Sequence, residues 1–357
     1  MPTQGRYDHH MDAKTAFRFP AALILRAQPR FEYAREPLLR RMPNGDLLCV
    51  FLSGGHTEPD NQNFVIAVRS QDDGISWSEP QVLFRHGERA VWATELFCEG
   101  NTVCLFVMTY YAPSRYRELI LYRSFSYDDG KTWTQPQSLP NGLLSGSVRQ
   151  GVALNSGRWV FPFYWQECLD GWDWTVSAVP NGGIDPRWPF RCGALISDDR
   201  GKSFDLRGYL TADVPLWENN VCEYAPGKLV MLMRAEYTGR LYRSFSDDDG
   251  QTWSPAQATD IPNPASKITL LKIEDKTVLI HNPTASTAFC DWRKRTPLSL
   301  WVSLDGTRTW SKKVDLCEMG ESFFYPHGFW DPAARQIYLA CENGQEHYLL
   351  KIPGEVL

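Results

Sequence analysis

The octad Ser246-Asp247-Asp248-Asp249-Gly250-Gln251-Thr252-Trp253 recurs along the chain and restricts its fold more than any other feature. Residues 126–133 repeat it with Asp128, Gly130 and Thr132 in place, and residues 70–77 repeat it with Ser76 for the threonine. Residues 197–204 form a fourth copy ending in Ser203-Phe204, and residues 303–310 a fifth whose glycine, Gly306, stands one place early. Self-similarity at a period of tens of residues marks an array of one supersecondary unit. The octad itself reads as a tight hairpin turn. Short Ser and Asp side chains bond nearby backbone N–H groups, glycine supplies a positive φ, and the tryptophan lays a large apolar face over the turn. Strand-like residues flank each copy, so the repeated unit is antiparallel.

A second signal alternates with the first. Turn residues feeding an apolar run occur at Pro43-Asn44-Gly45-Asp46-Leu47-Leu48, Glu99-Gly100-Asn101-Thr102-Val103 and Asn155-Ser156-Gly157-Arg158-Trp159-Val160. They recur at Ala225-Pro226-Gly227-Lys228-Leu229-Val230, Glu274-Asp275-Lys276-Thr277-Val278 and residues 332–337. Each reads as a hairpin turn opening into a buried strand, so six openings predict six sheets. The last opening is followed only by the strand-like run at 346–352, which leaves its sheet one strand short. The apolar segment around Leu23 can supply that strand, and joining the two ends of the chain would remove exposed sheet edges.

The octad is the Asp-box, and on these copies the chain resembles the sialidase-like β-propellers of the BNR-repeat superfamily over nearly its whole length. The resemblance implies an all-β, six-bladed propeller spanning residues 16–357 as one domain, behind a flexible segment at 1–15 that includes His9-His10. The 14 tryptophans and 15 tyrosines suit blades with aromatic signatures. A net charge of −5 gives no global attraction to nucleic acid or an anionic membrane. The nine cysteines show no ligand spacing. Cys49, Cys104, Cys222 and Cys341 lie in apolar runs and read as buried small hydrophobes. With neither a leader-like segment nor a transmembrane run in the sequence, a cytoplasmic setting is expected, or a secreted one if a leader has been trimmed.

The same resemblance implies an activity and a set of residues. Sialidases hold the substrate carboxylate with three arginines, protonate the leaving group with an aspartate, and attack with a tyrosine activated by a glutamate; they depart from the usual glycosidase carboxylate pair. Arg35 in Ala34-Arg35-Glu36-Pro37 matches the first arginine, ahead of the alternative Arg18, with Glu36 where the family carries an apolar residue. Asp60 matches the acid/base, with His56 and Glu58 of the altered loop Gly54-Gly55-His56-Thr57-Glu58 as alternatives. Glu218 matches the activating glutamate, with Glu223 as its rival, and Arg234 the second arginine. Arg295, beside Arg293 and Lys294, matches the third, and Tyr325 the nucleophile. Further candidates for the pocket are Arg149, Glu95 and His327. An arginine ending an apolar run, as Arg234 does after residues 229–233, needs a partner or a cavity.

The residue types fit the chemistry. A sialic acid carries its carboxylate on the anomeric carbon, where a nearly neutral tyrosine escapes the repulsion an anionic nucleophile would meet. The planar guanidinium fork binds a carboxylate bidentately. The expected partner is a glycan bearing an acidic sugar, and no cofactor or metal is implied. Two other readings stand beside this one: a glycosidase or lyase acting on uronic-acid-containing glycans, allowed by His56, His86 and His327, and a non-catalytic carbohydrate-binding propeller. The Trp-rich stretch at 171–189 is an insertion in the third repeat, where binding-face loops fall.

Overall fold

The apolar runs after each opening turn are flanked by apolar residues on both sides of the strand, and a strand of that kind must be covered on both faces. The computed structural model, which describes residues 16–111, 119–139, 146–166, 190–288 and 291–357, shows how. Six antiparallel sheets form a six-bladed propeller. In the first blade, Leu47, Cys49 and Phe51 of the strand Leu47–Ser53 pack into the seam with the sixth blade. Leu48 and Val50 pack into the seam with the second. The strand Thr102–Tyr110 divides in the same way, with Val103, Leu105 and Val107 on one side and Cys104, Phe106 and Met108 on the other. The core is therefore six separate inter-blade clusters rather than one central one.

The first blade comprises Ala34–Arg41, Leu47–Ser53, Phe64–Ser70 and Gln81–Phe84, from the inside outwards. The second, fourth and fifth blades repeat that order, and the third splits its innermost strand into Gly146–Val148 and Val152–Ala153. The sixth contains Phe324–Asp331, Gln336–Glu342 and Glu346–Pro353, with the early strand Ala21–Arg26 as its outermost member. Ala21 faces Leu350 and Arg26 faces Glu346, which closes the ring as the strand count predicts. Cys49, Cys104, Cys222 and Cys341 are buried free thiols.

Each octad links the third and fourth strands of its blade, at the end of the ring where the opening turns lie. Ser246 Oγ donates to Asp248 Oδ1 (2.7 Å) and accepts from the N–H of Gly250 (3.0 Å). Asp248 in turn accepts from the backbone and hydroxyl of Thr252 (2.8 and 2.5 Å). The fifth copy shows why its glycine can move. Asp249 and Gly250 occupy consecutive left-handed positions (φ 55° and 81°), and Gly306 and Thr307 take the equivalent pair (68° and 72°). Thr307 supplies the N–H to Ser303 Oγ at 2.8 Å, and Gly306 stands where a Cβ would lie 2.8 Å from the Tyr224 ring. The turn keeps its bonds and exchanges its residue types.

Candidate active site

The end of the ring opposite the octads is built from the beginnings of the innermost strands. Three of these beginnings carry a β-bulge and a non-glycine residue at positive φ. The register shifts between Arg35 and Leu38, between Trp217 and Asn220, and between Phe324 and His327. The residues inside the bulges are Glu36 (φ 53°), Glu218 (40°) and Tyr325 (53°). Bulges re-aim side chains, and a left-handed glutamate or tyrosine costs on the order of 1–3 kcal/mol, a strain that concentrates at functional sites. Blades one, four and six each hold such a residue at one level of the ring.

Buried charges connect those positions in a chain. Glu36 accepts from Arg149 Nη1 (3.1 Å), whose Nη2 donates to Glu218 Oε1 (2.8 Å). Arg234 Nη1 donates to Glu218 Oε2 (2.5 Å), and its Nη2 to Glu236 Oε1 (2.8 Å). All five side chains are buried. Burial works against the charge on Glu218, but Arg234 and Arg149 outweigh it and hold the carboxyl down to about 2. Arg35 lies 2.7 Å from Glu342 Oε2, and Arg234 stacks 4.1 Å over Trp217.

Tyr325 is 8% exposed and sits between two of the expected arginines. Its ring centroid is 5.8 Å from the Arg35 guanidinium and 5.0 Å from that of Arg295. Burial pushes the phenol well above its usual value; Arg295 and Arg234 oppose that push, and Glu218 and Glu36 add to it. The buried Lys267 holds its ammonium 5.9 Å from the same ring. That ammonium has no hydrogen-bond partner among the described residues, and burial pulls its proton affinity down.

The structure thus brings Arg35, Arg149, Glu218, Arg234, Arg295 and Tyr325 together, and adds Glu36, Glu236, Glu342 and Lys267. Sequence reasoning marked Glu36 only as a departure and did not select the other three. The signal was nonetheless present: Glu342 and Glu236 each adjoin apolar strand residues, the pattern that singled out Arg234. Of the rejected alternatives, Arg18 is exposed where its N–H meets Leu316 O, and Glu223 is spent on the backbone of Asn155 and Gly227. Arg293 and Lys294 are exposed.

Glu95 and His327, expected from the sequence as pocket residues, lie deeper along the inner strands and are bound to each other. His327 Nδ1 accepts from Leu39 N–H (2.9 Å), and its Nε2 faces Glu95 Oε2 (2.9 Å). Arg40 Nη2 donates to Glu95 Oε1 (2.8 Å) and Nη1 to Gly328 O (3.0 Å). Burial, with Arg40 alongside, pulls His327 down to about 3, so it is neutral and donates from Nε2. Glu95 Oε1 also accepts from the N–H of Gly151 (3.2 Å), so this group forms a strut between blades one, two, three and six.

Asp60 stands in the loop that joins the second and third strands of the first blade, at the same end of the ring. Its carboxylate holds that loop, accepting from the N–H of Gln62 at Oδ1 (2.8 Å) and from that of His56 at Oδ2 (3.3 Å). Glu58, two residues earlier, is half-buried. The insertion at 171–189 and the segment 1–15 lie outside the described residues. Among the described residues, no group of three or more His, Cys, Asp or Glu could hold a metal ion.

A family model described as a BNR repeat-like domain matches residues 45–335. The chain belongs to that family. A sialidase of Bacteroides fragilis (strain YCH46) is 26% identical over 208 residues, 54% of this chain and 33% of the relative, so the match spans about a third of that protein's length. The Hadza microbial sialidase Hz136 superposes with a TM-score of 0.73 at 17% identity, covering 92% of this chain and 67% of that one. The NanB sialidase of Streptococcus pneumoniae gives 0.71 at 14% identity, covering 96% and 71%. The Trypanosoma rangeli sialidase in complex with the inhibitor DANA gives 0.65 at 17%, covering 90% and 55%. At these identities the likeness to the solved structures speaks to the fold that this BNR-repeat chain shares with them.

Proposed function

We propose that this chain is a sialidase-type exo-glycosidase, releasing a terminal α-linked sialic acid or a related acidic sugar with retention of configuration. The observation that carries this reading is the setting of Tyr325, held at a left-handed φ with its ring flanked by Arg35 and Arg295 and within the influence of Glu218 and Arg234. A binding module would have no need of a strained tyrosine set between two arginines and within reach of the Glu218 charge. Arg35, Arg234 and Arg295 clamp the substrate carboxylate; the phenol oxygen of Tyr325 attacks the anomeric carbon. The leaving oxygen takes a proton from the loop at 54–63, which carries Asp60 where the resemblance places the acid.

Glu218 has a particular difficulty and a way out of it. A carboxyl held near 2 is a poor acceptor for the proton of a phenol pushed upwards. The hold comes from Arg234 and Arg149, and Arg234 is also part of the proposed clamp. An incoming carboxylate competes for that guanidinium, weakens its grip on Glu218 and raises the basicity of Glu218 as the substrate seats. The anion that must be recognised thereby switches on the group that activates the nucleophile.

Turnover of 4-methylumbelliferyl α-sialoside tests this reading. The wild type is expected to hydrolyse it, and Tyr325→Phe to lower kcat by at least about 10²–10⁴-fold while the melting temperature stays close to wild type. Absence of wild-type turnover across a broad pH range would sink it. A parallel screen on uronate glycans, read by the absorbance of a new C=C bond, distinguishes an elimination from this hydrolysis.

A further inference from the structure

We propose that Glu58, rather than Asp60, is the carboxyl that protonates the leaving group, and that Asp60 serves to hold the loop that presents it. The assignment rests on the sialidase reading and concerns one residue within it.

The two carboxyls of this loop are in different situations. Both oxygens of Asp60 accept backbone N–H groups of its own loop, from Gln62 and His56. The Asp60 N–H donates to Asn63 Oδ1 (2.8 Å), and Asn63 Nδ2 ties down the carbonyls of Gly54 (2.5 Å) and Thr57 (3.0 Å). Gly55, at φ 72°, passes so close that a Cβ there would sit 2.7 Å from the Asp60 side chain. Turning Asp60 towards a substrate would break the bonds that shape the loop. The Glu58 carboxylate has no hydrogen bond or ion pair among the described residues, although it is half-buried.

The charges around Glu58 are those of the active site. Glu36 and Arg35 of the first blade, Glu342 of the sixth and Glu218 of the fourth act on it. The hydroxyls of the half-buried Tyr33 and the buried Tyr110 feel its charge in return. Burial first, then Glu36, push its carboxyl up to about 8 against the pull of Arg35. Such a carboxyl is still protonated at neutral pH, the state a proton donor must be in.

The step balances with no further reagent. As the Tyr325 oxygen bonds to the anomeric carbon, the glycosidic C–O bond breaks and the Glu58 proton passes to the departing oxygen. The phenol proton passes to Glu218. In the second half, water attacks the anomeric carbon, the Glu58 carboxylate takes its proton, and the tyrosyl–carbon bond breaks as Tyr325 regains a proton from Glu218.

The test compares wild type, Glu58→Gln and Asp60→Asn on sialyllactose, whose leaving group needs a proton, and on 4-methylumbelliferyl α-sialoside, whose leaving group does not. Glu58→Gln breaks no hydrogen bond among the described residues, and its fold is checked by circular dichroism. It is expected to lose about 10²–10⁴-fold in kcat on sialyllactose and far less on the aryl sialoside. The wild-type rate on sialyllactose should fall as pH rises through about 8, and that fall should be absent in Glu58→Gln. Asp60→Asn should lower both activities in proportion and keep the alkaline fall. If the leaving-group dependence and the loss of the alkaline limb appear in Asp60→Asn and not in Glu58→Gln, this assignment is overturned and the sialidase reading stands. If wild type turns over neither substrate, the sialidase reading fails and takes the assignment with it.

Discussion

Glu36 stands where the resemblance calls for an apolar residue, and the structure supplies the reason: Arg149 reaches it from the third blade while also holding Glu218. Arg149 shares Glu218 with Arg234, so without Glu36 it is left with only a carboxylate that a second buried guanidinium also holds. Glu36→Gln is therefore expected to destabilise the fold by about 3–5 kcal/mol, the cost of breaking a buried pair from one side. Urea unfolding followed by tryptophan fluorescence measures it, and a loss under ~1 kcal/mol would show that Glu218 alone satisfies Arg149. The sequence exposed Glu36 as an exception but could not name its partner, because 113 residues separate the two and only closure of the ring brings them together. Arg35 could be marked from the opening turn it precedes, Arg234 from the apolar run it ends, and Tyr325 from its place at the start of the sixth blade. Lys267 had no such frame, and its burial beside Tyr325 emerges only from the packing of the fifth blade.

Among the elements, the octads were the most legible because every bond that makes one lies within its own eight residues. Their contacts with neighbouring blades were not legible. Gly130 of the second blade's octad has φ 75°, and a Cβ there would lie 2.7 Å from the Leu48 side chain of the first blade. Gly45 is also left-handed, at φ 95°, but has nothing within 4 Å of that position. Backbone strain alone predicts similar costs for alanine at both sites, about 1–2 kcal/mol. Packing against the next blade adds about 1–3 kcal/mol at Gly130 only. Gly130→Ala should therefore be the less stable of the two variants by that margin in urea titrations. Equal losses would mean that the octad glycine is required for its turn and not for the fit between blades. The fifth octad agrees with a role in fit, since Gly306 sits against Tyr224 while Thr307 takes the left-handed place that glycine holds in the other copies.

For the molecule as a whole, counting turns against octads revealed both the number of blades and the missing strand, since a propeller sheet short of one strand must recruit it from elsewhere. The count could not reveal what closure contributes. Residues Ala21–Arg26 pair along Glu346–Pro353, and Ile24 and Leu25 fill the seam between the sixth and first blades together with Phe31, Leu39 and Leu349. Arg35 and Glu36 start the innermost strand on one side of that seam, and Glu342 ends a strand on the other, paired with Arg35. The same seam therefore holds the ring shut and sets part of the site. Removing residues 1–27 would forfeit the burial of Ile24 and Leu25, about 3–6 kcal/mol at ~1.5–3 kcal/mol per side chain. It would also leave Glu346–Pro353 as an unpaired edge open to self-association. The truncated chain is expected to melt at a lower temperature than wild type and to elute as larger species in size-exclusion chromatography. Its turnover of the aryl sialoside should fall even at temperatures where it remains folded, because the Arg35–Glu342 pair spans the loosened seam. A truncated chain that stayed monomeric with the wild-type melting temperature would show that five blades and a three-stranded sixth suffice, and that the early strand covers an edge without holding the ring.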